Sequence, residues 1–133
     1  MSTVADAMRR EIKKVPHTAT IKKVAMKMKS DRIGSLFVEK KKELVGIVTE
    51  TDVVRKAVAT GANLGKVTAE KIMTTPIRTI EAYQSVQDAH DLMGDLGIRH
   101  LGVTQGGEIV GIVSVRDLLV YFKRVSEPKI TQD

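Results

Sequence analysis

The 133 residues contain no cysteine, no tryptophan, and only two Phe and two Tyr. Without thiols there are no disulfides, no thiolate zinc sites and no cysteine nucleophile, and the chain fits a reducing, intracellular setting. So few aromatics leave almost no stacking platform for single-stranded nucleic acid, and any core must be built from Val, Ile, Leu, Met and Ala. No apolar run approaches the roughly 20 residues that span a bilayer. The opening MSTVADAMRREIKK lacks the apolar stretch of a secretory signal. These absences predict a soluble, cytoplasmic protein.

Hydrophobic residues make up 42% of the chain, enough for one compact globular unit at this length. The formal charge of +6 is uneven. Residues 1–65 hold 14 Lys+Arg against 7 Asp+Glu, and residues 66–133 hold 8 against 9. A basic first half suits nucleic acid, an acidic partner protein or a phosphorylated ligand, and equally suits a plain solvated lysine-rich face.

The chain repeats itself. A shift of 65 residues superimposes the halves without a gap from Met8/Met73 to Asp52/Asp117, and such self-similarity takes precedence in any reading of fold. Ile12 meets Ile77, Met28 meets Met93, Ile33 meets Ile98, Leu36 meets Leu101, Val38 meets Val103 and Glu43 meets Glu108. Val45-Gly46-Ile47-Val48 falls on Val110-Gly111-Ile112-Val113. The matches gather on apolar positions and one glycine, as a shared core requires.

Each half reads as strand, helix, strand, strand, helix. Ile21, Val24, Ala25 and Met28 recur at i, i+3, i+4 and i+7, one face of a helix, and Val86, Ala89 and Met93 repeat it. Leu36 and Val38 alternate with their neighbours as a strand should. A polar loop at Lys40-Lys41-Lys42, or Gln105-Gly106-Gly107, then leads into a continuous apolar strand, making a hairpin whose second strand is covered on both faces. The expected fold is α/β (α+β), two pseudo-twofold related β-α-β-β-α repeats packed sheet to sheet. Their bounds are 4–60 and 68–124, with a linker at 61–67 and a tail at 125–133 that is loose or used in assembly. Met8 and Met73 are expected to fill gaps in the core.

The chemistry-bearing pattern is Gly-Ile-Val-Thr-x-x-Asp at 46–52 and Gly-Ile-Val-Ser-x-x-Asp at 111–117. It puts a hydroxyl and a carboxylate three residues apart where a strand turns into a helix. Two readings fit. One is a capping box, in which Thr49 or Ser114 caps a free backbone N–H and Asp52 or Asp117 sits at the positive end of the helix dipole. The other is a ligand site, with the helix start and hydroxyl facing a phosphate and the acceptor-only carboxylate taking both hydroxyls of a ribose. His17 and His90 have no ligand partner at metal spacing, and no metal site is expected. Gly106-Gly107 lacks the context of a dinucleotide fingerprint and reads as a turn.

The duplicated apolar pattern and the two G-h-h-[T/S]-x-x-D signatures, where h is apolar, resemble paired cystathionine β-synthase (CBS) domains, often called a Bateman module, over roughly Val4 to Arg124. The resemblance implies that the Asp of one repeat holds a ribose while strand residues of the other line the adenine and phosphate ends. Residue by residue, Asp52 and Thr49 would share a site with Ile77, Ile98, Arg99 and His100, and Asp117 and Ser114 one with Ile12, Gly34 and Ser35. Arg99 and His100 supply cations where Gly34 and Ser35 have none. The Asp52 site is therefore expected to take AMP, ADP or ATP, and the Asp117 site to be weaker or to take a less charged adenosyl compound such as S-adenosylmethionine. Arg78 matches the family only loosely. Arg99 pairing with a surface carboxylate and His100 serving structure remain the competing readings.

The resemblance thus implies a non-catalytic ligand sensor of energy state or metabolites, without a cofactor, acting as a homodimer and passing its state to a regulated protein. CBS pairs also occur within inosine monophosphate dehydrogenases, but this chain cannot hold a catalytic barrel of about 250 residues. The alternative is an interaction module for nucleic acid or an acidic partner, resting on charge alone, since no helix-turn-helix, zinc or aromatic RNA signature is present.

Overall fold

The computed structural model describes residues 2–126. In chain order the elements are α1 (Val4–Ala7), β1 (Lys14–Pro16), α2 (Ile21–Asp31), β2 (Ser35–Lys40), β3 (Glu43–Thr49) and α3 (Glu50–Asp52). A π-helical segment (Val53–Val58) follows, then α4 (Ala69–Ile72), β4 (Thr79–Glu81), α5 (Val86–Leu96), β5 (His100–Gln105), β6 (Glu108–Ser114) and α6 (Val115–Ser126). The strand-helix-strand-strand-helix order holds in both halves, each with a short helix ahead of it. No described helix is long and apolar enough to cross a membrane.

Two compact units form. One, the central unit, is 12–77; the other, the split unit, joins the described residues 2–11 to 78–126. The units are thus offset from the sequence repeats. The leading segment of each repeat packs on the body of the other, because each body has a place for it. In the split unit the Arg9 N–H donates to the Ile112 carbonyl at 2.8 Å and the Arg9 carbonyl accepts the Ile112 N–H at 2.9 Å, while Val4 N–H reaches Gln84 O. In the central unit Thr74 makes the same reciprocal pair with Ile47, at 2.8 and 3.0 Å, and Ala69 N–H reaches Ala19 O. The 61–67 segment between the repeats is held to the central unit. Leu64 O and Val67 O accept the N–H groups of Lys22 and Ile21, and Ala62 and Val67 pack against the core.

Each unit holds a three-stranded sheet, β1-β2-β3 or β4-β5-β6, with a parallel first pair and an antiparallel hairpin. The hairpins turn on two residues with positive φ, Lys41-Lys42 in one and Gly106-Gly107 in the other. Mirror-image turns of this kind match the strand twist and suit glycine far better than lysine. Only the second half of β3 and of β6 is buried; Leu44, Val45, Ile109 and Val110 are half-buried. The central core gathers Ile21, Val24, Met28, Leu36, Val38, Val48 and Ile72. The split core gathers Val4, Met8, Val86, Ala89, Met93, Leu101, Val103, Val113 and Leu118.

Ala25 departs from expectation. It is exposed, as is Met26, so the buried stripe of α2 is the narrower i, i+3, i+7 row. The same row, Val86, Ala89 and Met93, is buried on α5. Met8 is buried and Met73 packs against the central core, as core fillers should. The helix expected near the end runs on to Ser126, and the rest of the tail lies outside the described residues.

Candidate functional site

The two hydroxyl-carboxylate motifs occupy equivalent positions, each where the last strand of a sheet enters a helix. In the central unit, Asp52 Oδ2 accepts the backbone N–H of Thr49 at 3.0 Å and its hydroxyl at 3.2 Å, and Asp52 N–H donates back to Thr49 Oγ1 at 3.2 Å. In the split unit, Asp117 Oδ2 takes the Ser114 N–H at 2.8 Å and its hydroxyl at 2.9 Å, and Asp117 N–H returns a bond to Ser114 Oγ at 3.1 Å. Both are reciprocal capping boxes, which satisfy donors that a helix start otherwise leaves free. The capping reading is therefore fulfilled, and both carboxylates are anchored by these bonds.

The capping bonds leave further lone pairs on each carboxylate, and what fills them differs. Asp52 is only 6% exposed. Its Oδ1 meets Lys56 Nζ at 2.9 Å, and the Thr74 hydroxyl lies 3.3 Å from both oxygens. Lys56 also donates to the Ile72 carbonyl at 3.2 Å. Asp117 instead meets Arg9 Nε, at 3.0 Å from Oδ1 and 3.1 Å from Oδ2. Thr74 and Arg9 are the same place in the repeat, 65 residues apart, each hung on the last strand by its reciprocal backbone pair.

None of Arg9, Thr74 and Lys56 is named by the motif. Lys56 was within reach of sequence reasoning, since i, i+4 pairs face each other on a helix. Arg9 and Thr74 follow Met8 and Met73, where the repeat begins, but their meeting with the carboxylates depends on the exchange of leading segments.

The remaining expected residues fall as follows. In the central unit Gly34 and Ser35 stand at the start of β2, with Ser35 opposite Thr49 in the sheet and the Gly34 carbonyl accepting Glu50 N–H at 3.0 Å. In the split unit His100 stands opposite Ser114, and the Arg99 carbonyl accepts Val115 N–H at 3.0 Å. Each unit thus brings the residues at the start of its own hairpin to its own hydroxyl. Ser35 is buried, Arg99 is exposed, and Ile12, Ile77, Ile98 and His100 are half-buried. Ile98 and Arg99 line an open cleft of about 400 Å³ floored by Met93 and Leu118. Arg78 is exposed, its carbonyl accepting Gly102 N–H.

His17 and His90 each have a carboxylate neighbour. His17 lies 3.9 Å from Glu70, and His90 lies 3.0 Å from Asp91, which also takes a bond from Gln87. No group of three metal-ligating residues forms among the described residues.

Comparison with known proteins agrees with the geometry. The chain is 39% identical over 119 residues to an uncharacterized protein of Methanopyrus kandleri, matching 88% of this chain and 61% of that protein. It therefore spans less than two thirds of that relative. Among solved structures, a protein with CBS domains from Burkholderia ambifaria superimposes with a TM-score of 0.86 at 30% identity, covering 96% of each chain. The CBS domain protein of Pyrobaculum aerophilum, solved in complex with AMP, superimposes with a TM-score of 0.77 at 29% identity, covering 92% of this chain and 98% of that one. The CBS domain itself matches twice, at residues 4–59 and 69–124. With two matched copies spanning most of its length and the repeated hydroxyl-carboxylate junction in each, the chain belongs to the CBS domain family as a tandem pair, a regulatory module.

Proposed function

We propose that this tandem pair binds an adenine nucleotide, or a related adenosyl ligand, through Asp52 and Asp117, and acts as a non-catalytic sensor. The observation that carries the reading is Asp52. An ionised carboxylate is held almost wholly out of water at a helix start, where it is dearer to bury than a neutral cap. Its cation, Lys56, sits on a flexible, half-exposed side chain that can leave it. Departure of Lys56 frees Oδ1, and a turn of the Thr74 hydroxyl, which contacts both oxygens, frees a further lone pair on each, so that together they can take the two hydroxyls of a ribose. The AMP complex of the Pyrobaculum aerophilum relative supports the ligand class.

The rest of the site belongs to the same proposal: Thr49, Ile77, Ile98, Arg99 and His100 serve the Asp52 ligand, and Ser114, Ile12, Gly34 and Ser35 the Asp117 ligand. Arg99 would engage phosphate oxygens in pairs. The output is a ligand-driven shift between states of differing affinity, passed on within a homodimer in the cytoplasm to a regulated protein.

Calorimetric titration with AMP, ADP, ATP and S-adenosylmethionine tests the reading. Micromolar binding of an adenosyl ligand that Asp52→Ala or Asp117→Ala removes, with Arg99→Ala weakening the nucleotides more than adenosine, supports it. Absence of binding by any of the four, with both substitutions lowering only thermal stability, reduces the carboxylates to helix caps.

A further inference from the structure

The two carboxylates share a motif, a sheet position and a reciprocal cap, yet the leading segment delivers a threonine to one and an arginine to the other. Thr74 brings a neutral hydroxyl to Asp52, at 3.3 Å from both oxygens. Arg9 brings a guanidinium to Asp117, its Nε 3.0 and 3.1 Å from the two oxygens. We propose that Arg9 is a specificity-determining gate on the second carboxylate: it occupies the acceptors of Asp117, so a ribose can be held there only after the Arg9–Asp117 pair opens. This rests on the nucleotide reading above and deepens it.

Three features of the split unit carry the argument. The Asp117 side chain is 13% exposed and that of Arg9 39%, so the pair is shielded on the carboxylate side, and a guanidinium on a carboxylate is a charge-assisted contact of the stronger kind. Arg9 is held at its backbone by two bonds to Ile112 of 2.8 and 2.9 Å, which aims the side chain before the pair forms and lowers the entropy of making it. Lastly, Oδ2 of Asp117 already accepts the Ser114 N–H and hydroxyl, leaving Oδ1 and the site's remaining lone pairs as the ones a diol needs, and these are the ones Arg9 takes.

Asp52 is no more exposed, its side chain at 7%, and its Oδ2 holds the same two bonds from Thr49, so what differs is the partner its remaining lone pairs meet. Its cation is four residues along its own helix, on a side chain 48% exposed, and pairs of that type are weak and easily exchanged. The Thr74 hydroxyl both donates and accepts, and so can turn to face an incoming ribose. Arg9 adds to the inequality of the two carboxylates, beside the charge of Arg99 and His100, and replacing Arg9 by the residue its own repeat partner carries should reduce it.

The experiment uses the full chain with Asp52→Ala, so that only Asp117 is left to hold a ribose, and compares it with the same chain carrying Arg9→Thr as well. AMP and adenosine are titrated calorimetrically into each, and into the wild type. The expected result is AMP binding at least about tenfold tighter in the double variant than in Asp52→Ala, a factor of ten being about 1.4 kcal/mol, with adenosine gaining as much. Arg9→Met, which keeps the aliphatic stem and removes the charge, should reproduce the gain, and thermal unfolding of both variants checks that each is folded. Nucleotide binding by the wild type with no gain from either Arg9 substitution, or with a loss, overturns the gate and leaves the nucleotide reading standing. No binding of either ligand by any of the proteins removes both.

Discussion

Gly111 lies against the Arg9 backbone so closely that a Cβ on it would stand 2.5 Å from the Arg9 carbonyl oxygen. That oxygen is fixed, because it accepts the Ile112 N–H in the bridge that holds Arg9 at β6. The glycine of the second signature is therefore a packing requirement of the exchanged leading segment. Its counterpart Gly46 faces the Met73 thioether, 2.5 Å from such a Cβ, with the Thr74 carbonyl farther off at 3.1 Å. Methionine yields where a carbonyl in a bridge does not. Gly111→Ala should cost about 1–3 kcal/mol, the range of overpacking in a tight core, and Gly46→Ala clearly less. Urea unfolding of the two variants checks the order; equal costs would mean that the Arg9 segment shifts freely.

Helices α2 and α5 both end in a left-handed residue, Arg32 at φ 56° and Gly97 at φ 65°. The positions are repeat partners. Glycine takes this conformation without the Cβ clash that costs other residues about 1–2 kcal/mol. Arg32→Gly should therefore stabilise the protein, by about 1 kcal/mol at most, since glycine also frees the unfolded chain. Gly97→Ala should destabilise it by a similar amount. Thermal unfolding monitored by circular dichroism reads both, and a fall in Tm for Arg32→Gly would point to a role for the arginine side chain at that helix end.

Much of this architecture was legible because apolar periodicity is a local signal. Ile21, Val24 and Met28 announced a helix face, and the apolar run Val45–Val48 announced a strand. Ala25 misled because alanine is at home on either side of a helix, so pattern alone gave it no face. The two caps were readable too, since Thr49-x-x-Asp52 and Ser114-x-x-Asp117 carry their own geometry. The offset between repeats and compact units was not. It depends on Thr74 and Arg9 bridging to strands tens of residues away, and no local pattern encodes which sheet edge a one-residue bridge will choose. The partners of the two carboxylates, Thr74 and Arg9, were hidden for the same reason.

Glu70 gives the pH dependence a visible handle. A hydrogen bond from Lys40 at 2.8 Å holds its carboxyl below the usual carboxylate range, with the charges of Lys40, His17 and Lys71 adding and burial opposing. A carboxyl depressed in the folded state contributes stability that is present above its unfolded pKa and lost as pH falls through the folded one. In Lys40→Met the Glu70 titration should move up towards the ordinary range. The variant should be less stable than wild type at neutral pH, with the difference closing once the solution is acid enough to protonate Glu70. Carboxyl NMR titration follows the first effect and urea unfolding across pH the second. A Glu70 titration unmoved by the substitution would show that the pair does not persist in solution.

Asp52 serves as a cap and, in the proposed function, as a ribose acceptor, and two substitutions separate these roles. Asp52→Ala removes the carboxylate half of the capping box and leaves the Thr49 N–H, the Thr74 hydroxyl and Lys56 without their shared acceptor, so a loss of about 1–2 kcal/mol is expected, of the size found for helix caps. Asp52→Asn keeps one acceptor oxygen for the Thr49 N–H but puts an NH2 donor where the second oxygen stood. The cap then survives largely intact, and stability should fall by less than in Asp52→Ala. A ribose diol, with two donors to satisfy, meets only one acceptor, so AMP affinity should drop by about tenfold or more in both variants. Stability by urea unfolding and affinity by calorimetry, measured on the same three proteins, decide the matter. Affinity that falls in Asp52→Ala yet holds in Asp52→Asn would mean that the carboxylate acts on the ligand only by keeping the helix start in shape.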